Sequence, residues 1–456
     1  TVNVTGDVVV DSKADVNAKA FGGAVALANK AGVGLTTVNI INSDKVSAYI
    51  GKQADVTSGG KIVISADADQ DLMIISVSGG AATKVGIGGV FDLLFNKNTS
   101  EAYIGQGSEV KAAGSIDITA GNDTEAILVA GGAAAGGTAG IGASVAVVIV
   151  RNNTLAYIGD SSVVDAGAAL NINATAYLKN ISAVISGAGG GKVGVAASGT
   201  IKTIQSNTQA YIGAGSRINC DPGYTSANQT VSITAKDDSL LVGVSGSGAG
   251  GGTAGVGGSI DTTVLEKIVK AFIASAPADN SLDGTQLKAA GNVILAAEVN
   301  DKIISVTIGF AGGGTAGVGG VVAVLISTND IQSYIGDEAI ITTNGSVAVS
   351  AADDMIVVMV TGSGGVGGTA GVGASISVST IINSVKAYIG KNASVTALGN
   401  GTAVSFYTGA AGKVKSDGRG VLVGACSSED FVTTVISGAA GGTAGVVGAV
   451  AVTIVK

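Results

Sequence analysis

The chain has only two cysteines for thiol chemistry, and histidine is absent. Without His, the usual general base and the usual zinc ligand are both missing, so Ser-His-Asp and Cys-His arrangements are impossible. The adjacent pairs Asp237–Asp238 and Asp353–Asp354 could supply carboxylates. Neighbouring side chains of a strand point to opposite faces, so neither pair forms a two-carboxylate site. We therefore expect no enzymatic activity and no cofactor.

A row of aspartates could bind calcium. Asp69, Asp123, Asp238 and Asp354 each follow the first apolar residue of an alternating segment by seven positions. If two or three coils separate equivalent residues, these carboxylates lie roughly 10 to 15 Å apart and share no ion. The Gly-rich phrase of the chain also lacks the Asp that nonapeptide calcium repeats contain. We therefore expect turn residues at a solvated corner and no metal site.

A row of aromatic residues could bind sugar rings or bases. It is centred on Tyr49, Tyr103, Tyr157, Tyr211, Phe272, Tyr334 and Tyr388, within the sequence Ala-Tyr-Ile-Gly or a close variant. At a separation of two or three coils the rings could not stack on one another. This favours structural tyrosines packed at a corner of a sheet.

These rows belong to a sequence repeat that occurs eight times. Its Gly-rich phrase commonly reads Gly-Gly-Thr-Ala-Gly-Val-Gly, and its Thr position falls at Lys30, Lys84, Thr138, Lys192, Thr253, Thr315, Thr369 and Thr443. The successive spacings are 54, 54, 54, 61, 62, 54 and 74 residues. A fixed period of this size is typical of repeat arrays, whose units bury apolar surface against their neighbours.

The residues between the markers alternate in polarity, as in Val347-Ala-Val-Ser-Ala351, and no stretch shows a helical period. The sequence therefore predicts an all-β, β-helix-like solenoid rod that spans 1–456 as one continuous unit of about eight Gly/Ala-rich repeats. Each repeat could hold three coils of about 18 residues or two of about 27. In a third arrangement, the Gly-Gly of each phrase turns a long hairpin that stacks on the next one. Small residues would let two sheets pack closely in each case.

Composition excludes several classes of protein. The net charge of −8 and the lack of a basic stripe argue against nucleic-acid binding. Residues 126–150 carry no charge, but six of the twelve residues from Gly131 to Gly142 are Gly, too many for a transmembrane helix. Aromatic residues make up only 4% of the chain, fewer than the girdles of a membrane barrel need. We expect no membrane insertion.

Three insertions interrupt the repeat, near 214–230, 276–292 and 408–428. The first two should fall at the same turn of consecutive repeats and form neighbouring loops on one side of the rod. Inserted loops are often the binding surface of a solenoid, and neutral drift is the equally weighted alternative. The candidate partner-binding residues are Pro222, Tyr224, Pro277, Lys413, Lys415 and Arg419.

Both cysteines, Cys220 and Cys426, belong to these insertions. In a rod they lie tens of ångströms apart, too far for a disulfide within the chain. Two free thiols are the simpler interpretation, and a bond between neighbouring molecules is the alternative.

The repeat resembles the repeat region of large secreted bacterial filamentous adhesins, including the leukotoxin-type and filamentous-haemagglutinin-like proteins. The resemblance covers essentially the whole chain and depends on Ala-Tyr-Ile-Gly, Val-x-Val-x-Ala and Gly-Gly-Thr-Ala-Gly-Val-Gly-x-Ser. It implies secretion, a β-solenoid stalk and adhesive, matrix or biofilm roles, but it carries no catalytic residues.

Both termini fall inside a repeat and lack a polar capping unit. The expected partners are therefore copies of the chain joined head to tail or the flanking repeats of a longer chain. The sequence thus predicts a non-catalytic extracellular structural protein of the bacterial cell surface, either an adhesin shaft or a filament subunit. The alternative is a module that binds a glycan or a host protein through the inserted loops.

Overall fold

The computed structural model describes residues 1–226, 229–276, 284–408 and 413–456. In this part of the chain the eight repeats form eight stacked coils of a parallel β-solenoid, which confirms the all-β solenoid prediction. A typical coil contains a short strand of four residues, then long strands of 21 and 20 residues.

The strands follow one another coil by coil. They are β1 (Val2–Val4), β2 (Val8–Ala28) and β3 (Ala31–Ile50); β4 (Asp55–Ser58), β5 (Ile62–Ala82) and β6 (Val85–Ile104); β7 (Glu109–Ala112), β8 (Ile116–Gly136) and β9 (Ala139–Ile158); β10 (Val163–Ala166), β11 (Leu170–Gly190) and β12 (Val193–Ile212); β13 (Arg217–Ile218), β14 (Val231–Gly251) and β15 (Ala254–Ile273); β16 (Gln286–Ala289), β17 (Val293–Gly313) and β18 (Ala316–Ile335); β19 (Ile340–Thr343), β20 (Val347–Gly367) and β21 (Ala370–Ile389); and β22 (Ser394–Ala397), β23 (Val404–Tyr407), β24 (Lys415–Gly418), β25 (Val421–Gly441) and β26 (Ala444–Val455). A short 3-10 turn spans Pro222–Tyr224.

Equivalent strands of successive coils pair in parallel and in register. The short strands form sheet A, the first long strands form sheet B, and the second long strands form sheet C. Ile62 pairs with Ile116 and Tyr49 with Tyr103, for example, one repeat apart. The strands β23 and β24 form a separate antiparallel hairpin.

One repeat makes one coil, so the predictions of two or three coils per repeat are wrong. The third predicted arrangement is close to the observed one, because the two long strands of each coil are joined by a turn of two residues in the Gly-rich phrase. These two strands belong to different sheets and face each other across the interior instead of hydrogen-bonding to each other. Each coil is therefore an arch that stacks on the next.

The interior changes in character along the arch. Where the three sheets meet, buried Val and Ile such as Ile62, Ile104 and Val110 form the main core. Farther along, Leu72 and Leu94 continue it between sheets B and C. Close to the Gly-rich turn only small side chains such as Ala188 and Ala196 remain. The two long sheets therefore converge towards the turn.

Glycine makes this convergence possible. A Cβ atom placed on Gly88 would lie 2.0 Å from the carbonyl oxygen of Ala133, and one on Gly142 would lie 2.2 Å from that of Gly187. Both distances are far below any van der Waals contact, and the obstructing atoms belong to the backbone of the opposite sheet. This confirms close packing between sheets as the role predicted for the Gly-rich phrase.

The substitution Gly142→Ala is expected to lower the free energy of unfolding by about 2–3 kcal/mol, because the two sheets must separate to admit the methyl group. The matched control is Gly189→Ala, because a Cβ atom added at Gly189 would meet no atom within 4 Å. That change should leave stability within about 0.5 kcal/mol or raise it slightly. Urea unfolding followed by circular dichroism compares the two variants. Equal losses of stability would contradict the close-packing role.

The inserted segments do not share one turn, so that prediction is wrong. The first follows the short strand β13 and lies between sheets A and B, whereas the second precedes β16 and lies between sheets C and A. A short strand gives too weak a pattern for the sequence alone to place an insertion before or after it. The third insertion forms the hairpin β23–β24 and ends at residue 420, so residues 421–428 of its predicted range belong to β25.

Candidate functional site

The aromatic row forms a continuous stacked ladder on the outer face of sheet C. Ring centroids of successive coils, from Tyr49 to Tyr388, lie 4.8 to 5.0 Å apart, and the ring planes differ by 2° to 12°. The prediction that the rings cannot stack is wrong, because it assumed several coils per repeat. One coil per repeat separates equivalent residues by a single strand spacing.

Stacking limits what the ladder can bind. The faces of each inner ring are covered by its neighbours, so an inner ring presents only its edge to a ligand. Burial raises the pKa of Tyr211 and of Tyr334 to about 12, with smaller contributions from Asp160 near Tyr211 and from Tyr388 and Asp330 near Tyr334. These two hydroxyl groups therefore stay neutral across the physiological range. The ladder's geometry supports a structural role more than sugar or base stacking.

The acidic row also differs from its predicted position. Asp69 and Asp123 lie in the middle of strands β5 and β8 and pair directly across sheet B. They are therefore one strand spacing apart, and neither is at a corner. Burial, then the charges of Asp69 and Glu125, raises the pKa of Asp123. The row is interrupted in the next coil, where Asp123 pairs with Tyr177. Within the described ranges, no group of three or more Cys, Asp or Glu residues is arranged to hold a metal ion.

The adjacent aspartates point to opposite faces, as the alternation of a strand predicts. Asp237 is buried inside the arch, whereas Asp238 faces outward and forms an ion pair with Lys236 at 2.7 Å. Asp353 and Asp354 divide in the same way. The inward members belong to a buried ionic network that the sequence-based reasoning did not predict.

Lys267 is the centre of this network. Its Nζ atom lies 2.7 Å from Oδ1 of Asp237 and 2.6 Å from Oδ1 of Asp301. It also donates to the backbone oxygen of Asp237 at 3.3 Å. Burial alone would lower the pKa of Lys267, but the charges of the two carboxylates outweigh burial and raise it. The lysine is therefore charged, and its three N–H groups are satisfied.

Two further groups extend the buried network. Lys202 and Asp261 form a second ion pair at 3.1 Å, with both side chains 1% exposed. In the seventh coil, Asp353 accepts a hydrogen bond from Asn383 at 2.6 Å. Burial, followed by the charges of Asp301 and Glu429, raises the pKa of Asp353 to about 8. The Lys202–Asp261 pair lies within sheet C, but Asp261 also accepts a hydrogen bond from Ser305 of sheet B, and Asn383 and Asp353 join the same two sheets. These cross-sheet contacts suit a role in setting the register of sheets B and C.

Both cysteines are free thiols. They lie three coils apart, roughly 14 Å along the stack, rather than tens of ångströms. Cys220 is half-buried, whereas Cys426 is buried beneath Tyr407 of the third insertion. Burial raises the pKa of the Cys426 thiol, which makes it a poor nucleophile at neutral pH. Cys220 is therefore the better candidate for a bond between molecules.

The first insertion folds back over sheet A. Asp221 caps the turn that contains Pro222 and Tyr224, and its carboxylate forms an ion pair with Lys111 at 3.0 Å. The backbone N–H of Gly223, followed by Lys111, lowers the pKa of Asp221. An open groove of about 480 Å³ lies between this loop and sheet A, lined by Pro222 and Cys220 among others. Pro277, of the second insertion, lies outside the described residues.

The third insertion lies against sheet B and uses its basic residues there. Lys415 forms an ion pair with Glu298 at 3.2 Å and lies 4.4 Å above the ring of Tyr407. Lys413 donates to the side chain of Asn300. Arg419 is exposed. The structure therefore brings Lys413 and Lys415 together beside Tyr407, whereas Pro222 and Tyr224 belong to the loop over sheet A.

Sheet C has an apolar outer surface that the sequence-based reasoning did not predict. On the half of each long strand nearest the Gly-rich turn, the outward-facing residues of sheet C are uncharged in all eight coils. In the third coil these are residues 139, 141, 143, 145, 147 and 149. The charge-free run at 126–150 was the signal in the sequence, because a strand with apolar residues at every position is apolar on both faces. No helix in the described ranges is long and apolar enough to cross a membrane.

The chain was compared with protein-family models, curated proteins and solved structures, and none of them matches it.

Proposed function

We propose that the chain is a non-catalytic extracellular structural protein, either the shaft of a bacterial adhesin or the subunit of a head-to-tail surface filament. The observation that supports it most is the unbroken parallel register of the long strands through eight coils. Such a stack can be extended coil by coil without a change of cross-section. The resemblance of its motifs to filamentous adhesins agrees with this role and suggests the cell surface as its location.

The two end coils offer the means of extension. Among the described strands, β2 and β3 pair on one side only, and so do β25 and β26 at the opposite end. Unpaired strand edges are templates for further pairing. Because all coils run in the same direction, the last coil of one copy can receive the first coil of another in the same parallel register. Repetition of such a contact gives an open filament.

This proposal predicts fibres of the purified chain in which the strands lie perpendicular to the fibre axis. Electron microscopy should show them, and fibre diffraction should give a repeat of about 4.8 Å along the axis. Ala451 faces the interior in the edge strand β26, opposite Ser377. The variant Ala451→Lys would bury a charge under the next coil, and we expect it to shorten the fibres at least tenfold.

The matched control is Thr434→Lys, on the other long edge strand, β25. Thr434 pairs with Val360 on the outer face of sheet B, so its lysine stays in solvent when a further coil is added. Fibre length should then equal that of the wild type. Wild-type chain that forms only isolated particles, or Ala451→Lys fibres of normal length, would contradict a head-to-tail filament.

The groove beside the first insertion supports one alternative function, recognition of a glycan or a host protein. Its lining includes the predicted residue Pro222 together with Gln229 and Lys288. Glycan-array binding by the wild type would favour this function if it is lost when residues 219–230 are shortened to the three-residue connection that the second and third coils use.

A further inference from the structure

We propose that the apolar outer face of sheet C is an interface with the same face of a second copy of the chain. The apolar face of sheet C is defined by the outward residues of the first eleven positions of each sheet C strand, as in residues 139–149. Many of its larger side chains are substantially exposed, including Phe91 at 48% and Ile260 at 51%. A contiguous apolar patch of this size on a protein surface marks an interaction site.

The area of this face is sufficient for stable pairing. Eight strands at about 4.8 Å and eleven residues at about 3.3 Å give a footprint of roughly 1,400 Å². A stable protein interface needs about 800 Å² from each partner. The face therefore exceeds the requirement even if the two copies overlap over only two thirds of it.

The shape of the face favours a partner with the same periodic surface. A ridge of β-branched side chains, including Ile141, Val195, Val256 and Val318, runs along the stack. Beside it runs a groove of small residues, Gly89, Ala143, Ala197, Gly258, Gly320 and Ala374. The ridge runs through all eight coils, and the groove runs from the second coil to the eighth, because Leu35 occupies the groove position of the first. The ridge of one copy therefore matches the groove of another over seven coils, and an isologous pair follows.

A lipid bilayer fits the same face less well. The edges of β3 and β26 carry backbone groups that have no strand partner on one side among the described strands. In hydrocarbon each unsatisfied group would cost several kcal/mol. The glycine groove would also leave gaps against lipid chains, whereas a second sheet can fill them. The observations therefore favour a second copy.

The test uses two positions in the groove. A Cβ on Gly320 would meet no atom within 4 Å, and one on Gly258 would meet only the carbonyl oxygen of Gly320 at 3.7 Å. The double variant Gly258→Lys/Gly320→Lys should therefore fold normally, which circular dichroism and thermal melting verify. The matched control, Thr328→Lys/Ser384→Lys, adds the same charge to outward positions beyond the apolar face.

Sedimentation equilibrium and cryo-electron microscopy give the readout. Unassembled wild-type chain should have twice the 43.6 kDa mass of one copy, and fibres should be two stacks wide. The glycine variant should show single mass or single width, with pairing weakened at least 100-fold, and the control should match the wild type. The proposal is wrong if the wild type has the mass or width of a single copy, or if the glycine variant still pairs. Flotation of the wild type with phosphatidylcholine vesicles would also overturn it. Fibre length measures head-to-tail assembly, whereas fibre width measures pairing through sheet C. The filament proposal and the pairing proposal can therefore fail independently.

Discussion

Replacement of Lys267 by Met is expected to lower the free energy of unfolding by about 3–5 kcal/mol. The side chain is 1% exposed and lies between the carboxylates of Asp237 and Asp301. Without the lysine, two negative charges remain buried with no cation between them, and the apolar Met does not satisfy them. Thermal and urea unfolding at pH 7 measure the loss.

The matched control lies three residues away on the same strand. Lys270 faces outward and forms an ion pair with Asp330 at 3.1 Å, with the side chains 24% and 32% exposed. Water screens this pair, so Lys270→Met should cost no more than about 1 kcal/mol. If both variants lose the same stability, the buried network contributes no more than an ordinary surface pair.

Stability should also fall as the pH rises from about 4 to 8, because of Asp353. An unfolded Asp releases its proton near pH 4, whereas burial followed by the charges of Asp301 and Glu429 raises the folded pKa to about 8. Between these values the folded protein holds a proton that the unfolded chain does not. The free energy of unfolding therefore decreases with pH by up to about 1.4 kcal/mol per unit.

The variant Asp353→Asn should remove this dependence, since the amide cannot ionise. The difference in free energy of unfolding, variant minus wild type, should therefore be about 3 kcal/mol larger at pH 8 than at pH 5. The neighbouring Asp354→Asn, on the outer face of the same strand, is the control and should keep the pH dependence of the wild type. Parallel pH profiles for Asp353→Asn and the wild type would show that Asp353 ionises normally in the folded protein.

Much of the fold could be predicted from periodicity alone. Alternating polarity predicts strands, and recurrence of the Gly-rich phrase predicts a stacked array. The number of coils per repeat does not follow from the length of the repeat, because the same number of residues can form one large coil or several small ones. A decisive signal was nevertheless present. The corner motif around Tyr103 and the turn at Thr138 each occur once per repeat, and a coil needs each corner once.

The functional surfaces were less predictable. Alternation correctly placed Asp237 and Asp238 on opposite faces of the strand, but it does not reveal which inward residue of the opposite sheet faces Asp237. The Lys267 contact depends on how sheets B and C are aligned across the interior, a relation set by turns of only two residues. The apolar face of sheet C was missed for another reason. A charge-free stretch indicates a membrane segment or a two-sided apolar strand that packs against another sheet, and the sequence alone does not distinguish the two.

The length of the strands has a mechanical consequence. Each added repeat extends the stack by about 4.8 Å, while each strand of sheet B spans roughly 65 Å across it. Adjacent coils are joined by four, 21 and 20 paired residues in the three sheets. The resulting body is a ribbon that bends readily across its thin dimension and resists bending in the plane of its broad faces. Tension along the stack is shared by dozens of backbone hydrogen bonds loaded simultaneously, so the ribbon is built to resist pulling more than to gain length.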